Sequence, residues 1–155
     1  MEGGLPVNLP LLRHATEEPS LLFVYGTLRR RFKHPMARRL ALSARHIGIG
    51  RLNGRLYHLS RYPGLIFSHR PDEWVWGDLY ELQDKPGLLA RLDRYEGVTS
   101  GRKRVSEYER LIATIYIEDA TIRQAWVYCY QQPVNRLRRL VSGDFLRQSR
   151  RSPVR

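Results

Sequence analysis

The chain has 155 residues, with 27 Lys or Arg against 15 Asp or Glu, and its formal net charge is +12. This length suits one domain with a proper core, and the single cysteine, Cys129, excludes an internal disulfide. No apolar run approaches the roughly 20 residues that cross a bilayer, and residues 1–20 lack the pattern of a secretory signal. We therefore expect a cytoplasmic protein that has no membrane partner.

The basic residues are scattered along the chain, with local clusters at 29–31, 102–104 and 136–139. Scattered arginine arises from codon composition, and it is also found in proteins that bind nucleic acids or anionic substrates. The chain has no basic helix with interleaved aromatics, no zinc-finger spacing and no RNA-binding strand motif. Nucleic acid is therefore a minor alternative partner, and no feature of the sequence indicates an oligomeric state.

The first predicted strand, at residues 21–25, is an unbroken apolar run, which is typical of a strand with both faces buried. Gly26 ends it, because glycine permits a positive φ or a close approach to the main chain. The amides of Gly26, Thr27 and Leu28 can then point into one concave spot that suits an anion or a carbonyl oxygen. The alternative is an ordinary turn at the end of a strand.

After this turn, proline near the first position and the alanine and leucine content predict a helix at 34–42. Residues 45–59 alternate between apolar and polar around Asn53-Gly54, which predicts a β-hairpin. The later predicted elements are a turn at 62–64, strands at 65–67 and 74–82, a helix at 85–95 with Asp84 as cap and Gly97 as stop, and strands at 108–117 and 122–130 joined by a turn at 118–120. Gly77 inside a strand indicates a bulge or a close backbone approach.

The order of these elements indicates the fold class. Strands outnumber helices, most connections are short, and no internal repeat is visible. We predict an α+β domain at 21–146, built as a small, curved, mostly antiparallel β-barrel with a few packed helices. It lies between an N-terminal extension, 1–20, and a basic C-terminal tail, 147–155.

Glu96 is the main candidate for a functional side chain. With about 100° between successive helical residues, Leu88, Leu89 and Leu92 form the apolar face of the helix at 85–95, and Glu96 projects from the same face. Burial and the negative end of the helix dipole would both raise the pKa of this carboxyl. A residue so placed either pairs with a core partner or transfers protons, and the helix alone does not decide between the two.

A set of short motifs then occurs in order across about residues 21–145. They are Tyr25-Gly26-Thr27-Leu28, Gly54-x-Leu56-Tyr57-x-Leu59 with Tyr62-Pro63-Gly64, Gly77-x-Leu79-Tyr80, Leu92-Asp93-x-Tyr95-Glu96-Gly97, Tyr108-x-Arg110, Ala125-Trp126-Val127-Tyr128-x-Tyr130 and Ser142-Gly143-Asp144. No single motif is specific, but with this ordered set the chain resembles the γ-glutamylcyclotransferase-like family. The resemblance implies a compact β-barrel with helices around one cavity.

The resemblance also implies residue roles. The backbone of Tyr25, Gly26, Thr27 and Leu28 would bind the head of a small γ-glutamyl substrate. Glu96 would take a proton from the substrate α-amine, which attacks the γ-carbonyl carbon, and would then protonate the departing nitrogen. The products would be 5-oxoproline and a free amine or peptide, with no metal and no cofactor.

Other residues are weaker candidates. Among the tyrosines of the predicted strands, Tyr130 is our choice for a hydrogen-bond donor to the substrate. The five histidines show no metal-ligand spacing. The basic, polar stretch 99–107 stands where a loop on the substrate side is expected. The alternative function is a non-catalytic binding protein on the same fold, which recognises an acidic partner or nucleic acid through its basic surface.

Overall fold

The computed structural model describes residues 19–30, 33–59, 62–83, 85–96, 107–118 and 120–150. Within these ranges the chain forms seven strands and three helices. In chain order they are β1 (Leu21–Val24), α1 (Pro35–Ser43), β2 (Ala44–His58), β3 (Pro63–Phe67), β4 (Trp74–Leu82), α2 (Lys85–Tyr95), β5 (Tyr108–Ile117), β6 (Ile122–Tyr130), β7 (Arg138–Arg139) and α3 (Phe145–Arg150). None of the described helices is long and apolar enough to cross a membrane.

Five of the strands close into a barrel. β1 pairs antiparallel with β4 and parallel with β6, and β4 pairs antiparallel with β2. β5 pairs antiparallel with β6 and completes the circle by pairing with β2 at Gly50 and Arg51. Among the described pairings of this barrel only the one between β1 and β6 is parallel, which confirms the predicted α+β, mostly antiparallel barrel.

β1 is buried on both faces because it lies between two cores. Leu21 and Phe23 point into the barrel interior, whereas Leu22 and Val24 point outward to the helices. The outer core also contains Leu40 of α1 and the three leucines of α2, Leu88, Leu89 and Leu92. The helices therefore cover the outside of β1, and α2 ends close to the place where β1 ends.

The predicted hairpin at 45–59 is wrong, because β2 runs straight through Asn53 and Gly54. β2 pairs with β4 as far as Asn53 and with β3 from Gly54 onward. A Cβ on Gly54 would lie 2.8 Å from the carbonyl oxygen of Ile66, so glycine is required for this change of partner. The Asn53 side chain donates to the carbonyl oxygen of Glu73 at 3.2 Å. The Asn-Gly pair thus serves a strand that changes partner, and not a turn.

Two other glycines also have packing roles. The predicted turn at 62–64 is wrong for Pro63 and Gly64, which lie in β3, where a Cβ on Gly64 would come within 2.9 Å of the Tyr130 ring. Gly77 is a site of close backbone approach, since its Cβ would lie 2.3 Å from the Val24 carbonyl oxygen. The pairing of β2 with β4 does contain a shift of register, but it lies between His46 and Gly48 and not at Gly77.

The remaining predicted strands and helices are confirmed to within one or two residues. The predicted cap Asp84, the predicted stop Gly97, Asp119 of the predicted turn and the stretch 99–106 lie outside the described residues. The extension 1–20 and the tail 147–155 stay predictions. In the extension, the Ser20 carbonyl oxygen accepts a hydrogen bond from the Leu82 backbone N–H at 2.8 Å. In the tail, residues 147–150 belong to α3.

Candidate active site

A cavity of about 250 Å³ opens at the end of the barrel where β1 and β6 finish and β5 begins. Its walls come from the end of β1, the loop that follows, the start of β3, the end of α2, and β5 and β6. The lining residues are Phe23, Val24, Tyr25, Gly26, Thr27, Leu28, Tyr62, Pro63, Tyr95, Glu96, Glu107, Tyr108 and Tyr128. Most of the wall is aromatic or aliphatic, as in small-molecule sites.

Glu96 reaches this cavity from the end of α2. Its backbone N–H donates to the Leu92 carbonyl oxygen at 2.8 Å, so the helical hydrogen bonding continues one residue beyond α2. The three leucines of the apolar face are buried, and the Glu96 side chain continues this face onto the cavity wall. Burial, and then the nearby charge of Glu107, raise the pKa of the Glu96 carboxyl to about 8. A carboxyl with such a pKa exchanges protons near neutral pH.

The loop Tyr25–Leu28 forms the wall that Glu96 shares. The hydroxyl of the buried Tyr25 donates to the Tyr128 carbonyl oxygen at 2.5 Å, which ties the end of β1 to β6. The sequence analysis gave two possible reasons for glycine at position 26, a positive φ or a close approach to the main chain. The first does not apply, because Gly26 does not have a positive φ. A Cβ on it would instead lie 2.8 Å from the Pro63 ring, so close packing against β3 requires glycine at this position.

A buried ion-pair network holds the other side of the same loop. Arg29 donates from Nε to Asp78 Oδ2 at 3.0 Å and from its terminal nitrogen to Asp144 Oδ1 at 2.8 Å. The backbone N–H of Arg30 also donates to Asp78 Oδ2 at 3.0 Å. The Arg29 side chain is only 4% exposed. Arg29, which the sequence placed in a basic cluster, is therefore an internal anchor of the loop, and not part of a basic surface.

A second contact joins the loop to α2. The Thr27 hydroxyl lies 3.1 Å from the Tyr95 hydroxyl, which in turn lies 3.3 Å from His34 Nε2. His34 Nδ1 accepts from the backbone N–H of Met36, so in a neutral imidazole the proton is on Nε2 and points to Tyr95. Tyr95 then donates to Thr27, and this chain fixes the residue that precedes Glu96.

The structure thus brings four of the five predicted substrate-binding residues and Glu96 to one cavity. Tyr130 is not among the lining residues. Its ring packs edge-on against Tyr108, with centroids 5.6 Å apart, and Tyr108 lines the cavity in its place. A direct contact between Tyr130 and a substrate stays a prediction, because a bound molecule would meet Tyr108 first.

The sequence alone did not assign a role at the site to Tyr62, Glu107, Tyr108 or Tyr128. It placed Tyr62 in a turn, Tyr108 and Tyr128 in strands, and Glu107 at the end of a candidate loop on the substrate side, 99–107. The Tyr108 hydroxyl donates to the Pro63 carbonyl oxygen at 2.8 Å, and Tyr62 donates to Glu107 Oε1 at 2.9 Å. Glu107 is the second carboxylate of the described wall. The signal for it in the sequence was its place at the end of the stretch 99–107, directly before a predicted strand.

We expect Glu107→Gln to lower the pKa of the Glu96 carboxyl. Glu107 is the second cause of the raised pKa, so removing its charge favours the ionised form of Glu96, while burial keeps the pKa above that of a free glutamate. Carbon-13 NMR titration of glutamate-labelled protein measures this directly. Glu109→Gln is the matched control, because Glu109 is exposed and does not line the cavity. An unchanged Glu96 titration in Glu107→Gln would contradict the expectation.

Residues 22–147 match the sequence model of the family described as gamma-glutamyl cyclotransferase, AIG2-like. The chain is 35% identical over 128 residues to the gamma-glutamylcyclotransferase family protein YtfP of Escherichia coli K12, which covers 81% of this chain and 95% of that protein.

Two solved structures are similar in fold. The solution structure of ytfP from Escherichia coli has a TM-score of 0.54 and 30% identity, and the match covers 83% of this chain and 98% of that one. YkqA from Bacillus subtilis has a TM-score of 0.62 at 23% identity, and this chain covers 44% of its length. The likeness to YkqA concerns the fold alone.

Proposed function

The chain belongs to the AIG2-like gamma-glutamyl cyclotransferase family, and from this premise we propose that it is an enzyme which converts a γ-glutamyl compound into 5-oxoproline and a free amine or peptide. The observation that carries the proposal is the position of Glu96. Its carboxyl, with a pKa raised to about 8, shares a cavity with Gly26, Thr27 and Leu28. A group that both accepts and returns a proton near neutral pH is what the cyclisation needs.

In this proposal the ionised Glu96 takes a proton from the α-ammonium group of the substrate. The freed amine nitrogen attacks the γ-carbonyl carbon, and the new C–N bond closes a five-membered ring. The carbonyl oxygen gains negative charge, which N–H groups of residues 26–28 stabilise. The original amide C–N bond then breaks as Glu96 returns its proton to the departing nitrogen, and the carbonyl forms again. The ring nitrogen gives up its second proton through the ionised Glu96 to the released amine, which leaves as an ammonium ion. No protein atom forms a covalent bond with the substrate.

The cavity supports this reaction mainly by holding the substrate in a bent shape. Amine and carbonyl belong to one molecule, so the enzyme has to restrict rotation about only a few bonds to bring them within reach. The fixed walls suit this task. The Tyr25 and Tyr108 hydroxyls are both hydrogen-bonded to backbone carbonyl oxygens, which holds each ring in one position.

The proposal is tested by incubating the protein with a panel of γ-glutamyl amines and γ-glutamyl peptides and measuring released 5-oxoproline. We expect turnover of at least one compound. Binding of panel members without any release of 5-oxoproline would instead support the alternative, a non-catalytic binding protein on the same fold. The absence of both binding and turnover for every compound of the panel would reject the proposal.

We propose that Asp93 and Arg110 position Glu96. Arg110 donates from Nε and from a terminal nitrogen to the two Asp93 oxygens, at 2.8 and 3.2 Å, and its guanidinium lies 4.2 Å from the Trp126 ring centroid. Asp93 Oδ1 also accepts from Tyr128 at 2.6 Å. These contacts fasten the last turn of α2 to β5 and β6, one turn before Glu96.

We therefore expect Arg110→Met to lower kcat about tenfold with little change in KM, because small displacements of a reacting group are costly and the loop that binds the substrate head is untouched. Steady-state kinetics on the best panel substrate measures both constants. The matched control is Arg91→Met, which removes an exposed arginine of the same helix. A rise in KM alone would show that Arg110 contributes to substrate binding, and not to the position of Glu96.

A further inference from the structure

A second cavity, of about 460 Å³, lies on the outer face of the barrel and shares no lining residue with the candidate active site. Its walls come from the loop after β1, from β2 and β4, and from the start of α3. The charged residues of this described wall are Arg29, Arg30, Asp78, Asp144 and Arg147. With three arginines against two aspartates, the wall carries a net positive charge even when its one histidine is neutral.

Both aspartates of this wall already bind donors of the fold. Asp78 accepts from Arg29 and from the Arg30 backbone N–H through Oδ2, and its Oδ1 lies 2.9 Å from His46 Nε2. Asp144 Oδ1 accepts from Arg29 and from two backbone N–H groups at the start of α3. The charge of Arg29 is therefore used inside the wall, between the two carboxylates.

The guanidinium groups of Arg30 and Arg147 are different, because neither has a carboxylate partner among the described residues. Both side chains are exposed. A terminal nitrogen of Arg30 lies 3.5 Å from His46 Nδ1, which is the acceptor of the neutral ring when the Nε2 proton points to Asp78. A guanidinium has five donors and no acceptor, in a planar fork that matches an oxyanion. The open part of the cavity therefore presents donors to an anion.

A bulge in β2 shapes the floor of this cavity. Residues 46 and 49 are three apart, so in a regular strand they would point to opposite faces. The register shift between His46 and Gly48 adds one residue, and as a result His46 pairs with Tyr80, and Ile49 with Asp78, on the same outer face. The Tyr80 ring packs edge-on against His46 with centroids 5.2 Å apart. Bulges often redirect a side chain in this way at functional sites.

We propose that this second cavity is a binding site for a phosphate group, held between the guanidinium groups of Arg30 and Arg147, with His46 orienting Arg30. The two positive charges suit a dianion better than the single charge of a carboxylate. Ile49 and Leu146 add apolar surface to the wall, so the site accepts either the free ion or a phosphate monoester with a small organic part. The inference does not depend on the proposed function, because it concerns binding at a separate place.

A phosphate group at this site also connects two parts of the chain. Arg30 follows the loop Tyr25–Leu28, and Arg147 belongs to α3. The ion pair of Arg29 with Asp144, at 2.8 Å, already joins the same two parts, and a bound phosphate adds a second bridge beside it. Since a ligand that binds only the folded protein stabilises it, we expect phosphate to raise the melting temperature.

The test is isothermal titration calorimetry with inorganic phosphate, glycerol 3-phosphate and acetate. Ionic strength is kept constant with sodium chloride, because a protein with a formal charge of +12 attracts every anion and exposed charges are screened by salt. We expect both phosphate compounds to bind, and acetate to bind about tenfold more weakly. Tighter binding of glycerol 3-phosphate would identify a phosphate monoester as the ligand, and the reverse order would identify the free ion; both results support the site.

Arg30→Gln and Arg147→Gln should each weaken phosphate binding about tenfold, the lower end of what a hydrogen bond to a charged group contributes. They should also reduce the rise in melting temperature that phosphate causes. Both side chains are exposed, so the variants should fold. The matched control is Arg123→Gln, which makes the same charge change at an exposed position of β6 outside the cavity and should keep the affinity.

Three results would overturn the inference. They are the absence of phosphate binding, equal affinities for phosphate and acetate, and an affinity for phosphate that survives in both Arg30→Gln and Arg147→Gln. A loss in Arg123→Gln as large as in these two variants would also overturn it, because binding would then follow the net charge of the protein and not this cavity. None of these results bears on the release of 5-oxoproline, which tests the proposed function separately.

Discussion

Glu96→Gln is expected to lower kcat for the best γ-glutamyl substrate by about 10²–10⁴-fold, the usual contribution of general acid–base catalysis. Glutamine keeps the shape of the side chain, but it cannot accept a proton from the α-ammonium group or return one to the leaving nitrogen. Substrate binding should change little, because the loop Tyr25–Leu28 holds the substrate head. Single-turnover rates and calorimetric binding on the same protein measure the two effects separately.

The same variant should be more stable than the wild type at neutral and basic pH. The pKa of Glu96 is raised to about 8 in the folded state, so the folded protein holds a proton that the unfolded chain releases near pH 4 to 5. The stability of the wild type therefore falls as pH rises from about 4.5 to 8, and that of Glu96→Gln does not. The melting temperature of the variant minus that of the wild type should increase between about pH 4.5 and pH 8 and stay constant at higher pH.

Two results would contradict this account. Collapse of Glu96→Gln would show that Glu96 is a structural partner in the core. Unchanged turnover, compared with the control Glu109→Gln, would show that another group carries the proton. The pH dependence of the difference in stability between wild type and Glu96→Gln separates these outcomes from a general loss of folding, because a general loss would not follow the titration of Glu96.

Glu96 was predictable from sequence because its position depends on one helix. The apolar face of α2 is visible in the spacing of Leu88, Leu89 and Leu92, and a carboxylate that continues this face must approach the core. The strands were predictable for a similar reason, since alternation and unbroken apolar runs are local. Local patterns do not show which residues of two different elements are in contact. The rest of the site depends on such contacts and was therefore not predictable.

Asn53 and Gly54 illustrate the limit. The pair favours a tight turn in isolation, but β2 gains two sets of partners by running straight through it, and these long-range pairings outweigh the local preference. Glu107 and Tyr62 were missed for the related reason that they are 45 residues apart in sequence and meet only across the barrel mouth. Arg29 shows the same limit, because its burial depends on Asp78 and Asp144, which are distant from it in sequence.

Asp78→Ala is expected to destabilise the fold by about 3–5 kcal/mol, the usual cost of removing one partner of a buried ion pair. The Asp78 side chain is 5% exposed and that of Arg29 4%. Without the carboxylate, Arg29 Nε and the Arg30 N–H lose their acceptor, and His46 Nε2 loses its contact at 2.9 Å. Urea unfolding at pH 7 measures the change, and Glu81→Ala is the control.

Glu81 is three residues further along β4 and pairs with Arg45 at 2.8 Å, but both side chains are exposed, so its loss should cost less than about 1 kcal/mol. Burial alone would raise the pKa of Asp78, yet the hydrogen bond with His46 and the charge of Arg29 hold it below its usual value. The stabilisation that ionised Asp78 provides is therefore present above about pH 4, and it is lost as pH falls through the lowered pKa of Asp78 in the folded protein. The difference between wild type and Asp78→Ala should shrink in that acid range. Equal losses in Asp78→Ala and Glu81→Ala would show that the buried network does not hold the loop Tyr25–Leu28 in place.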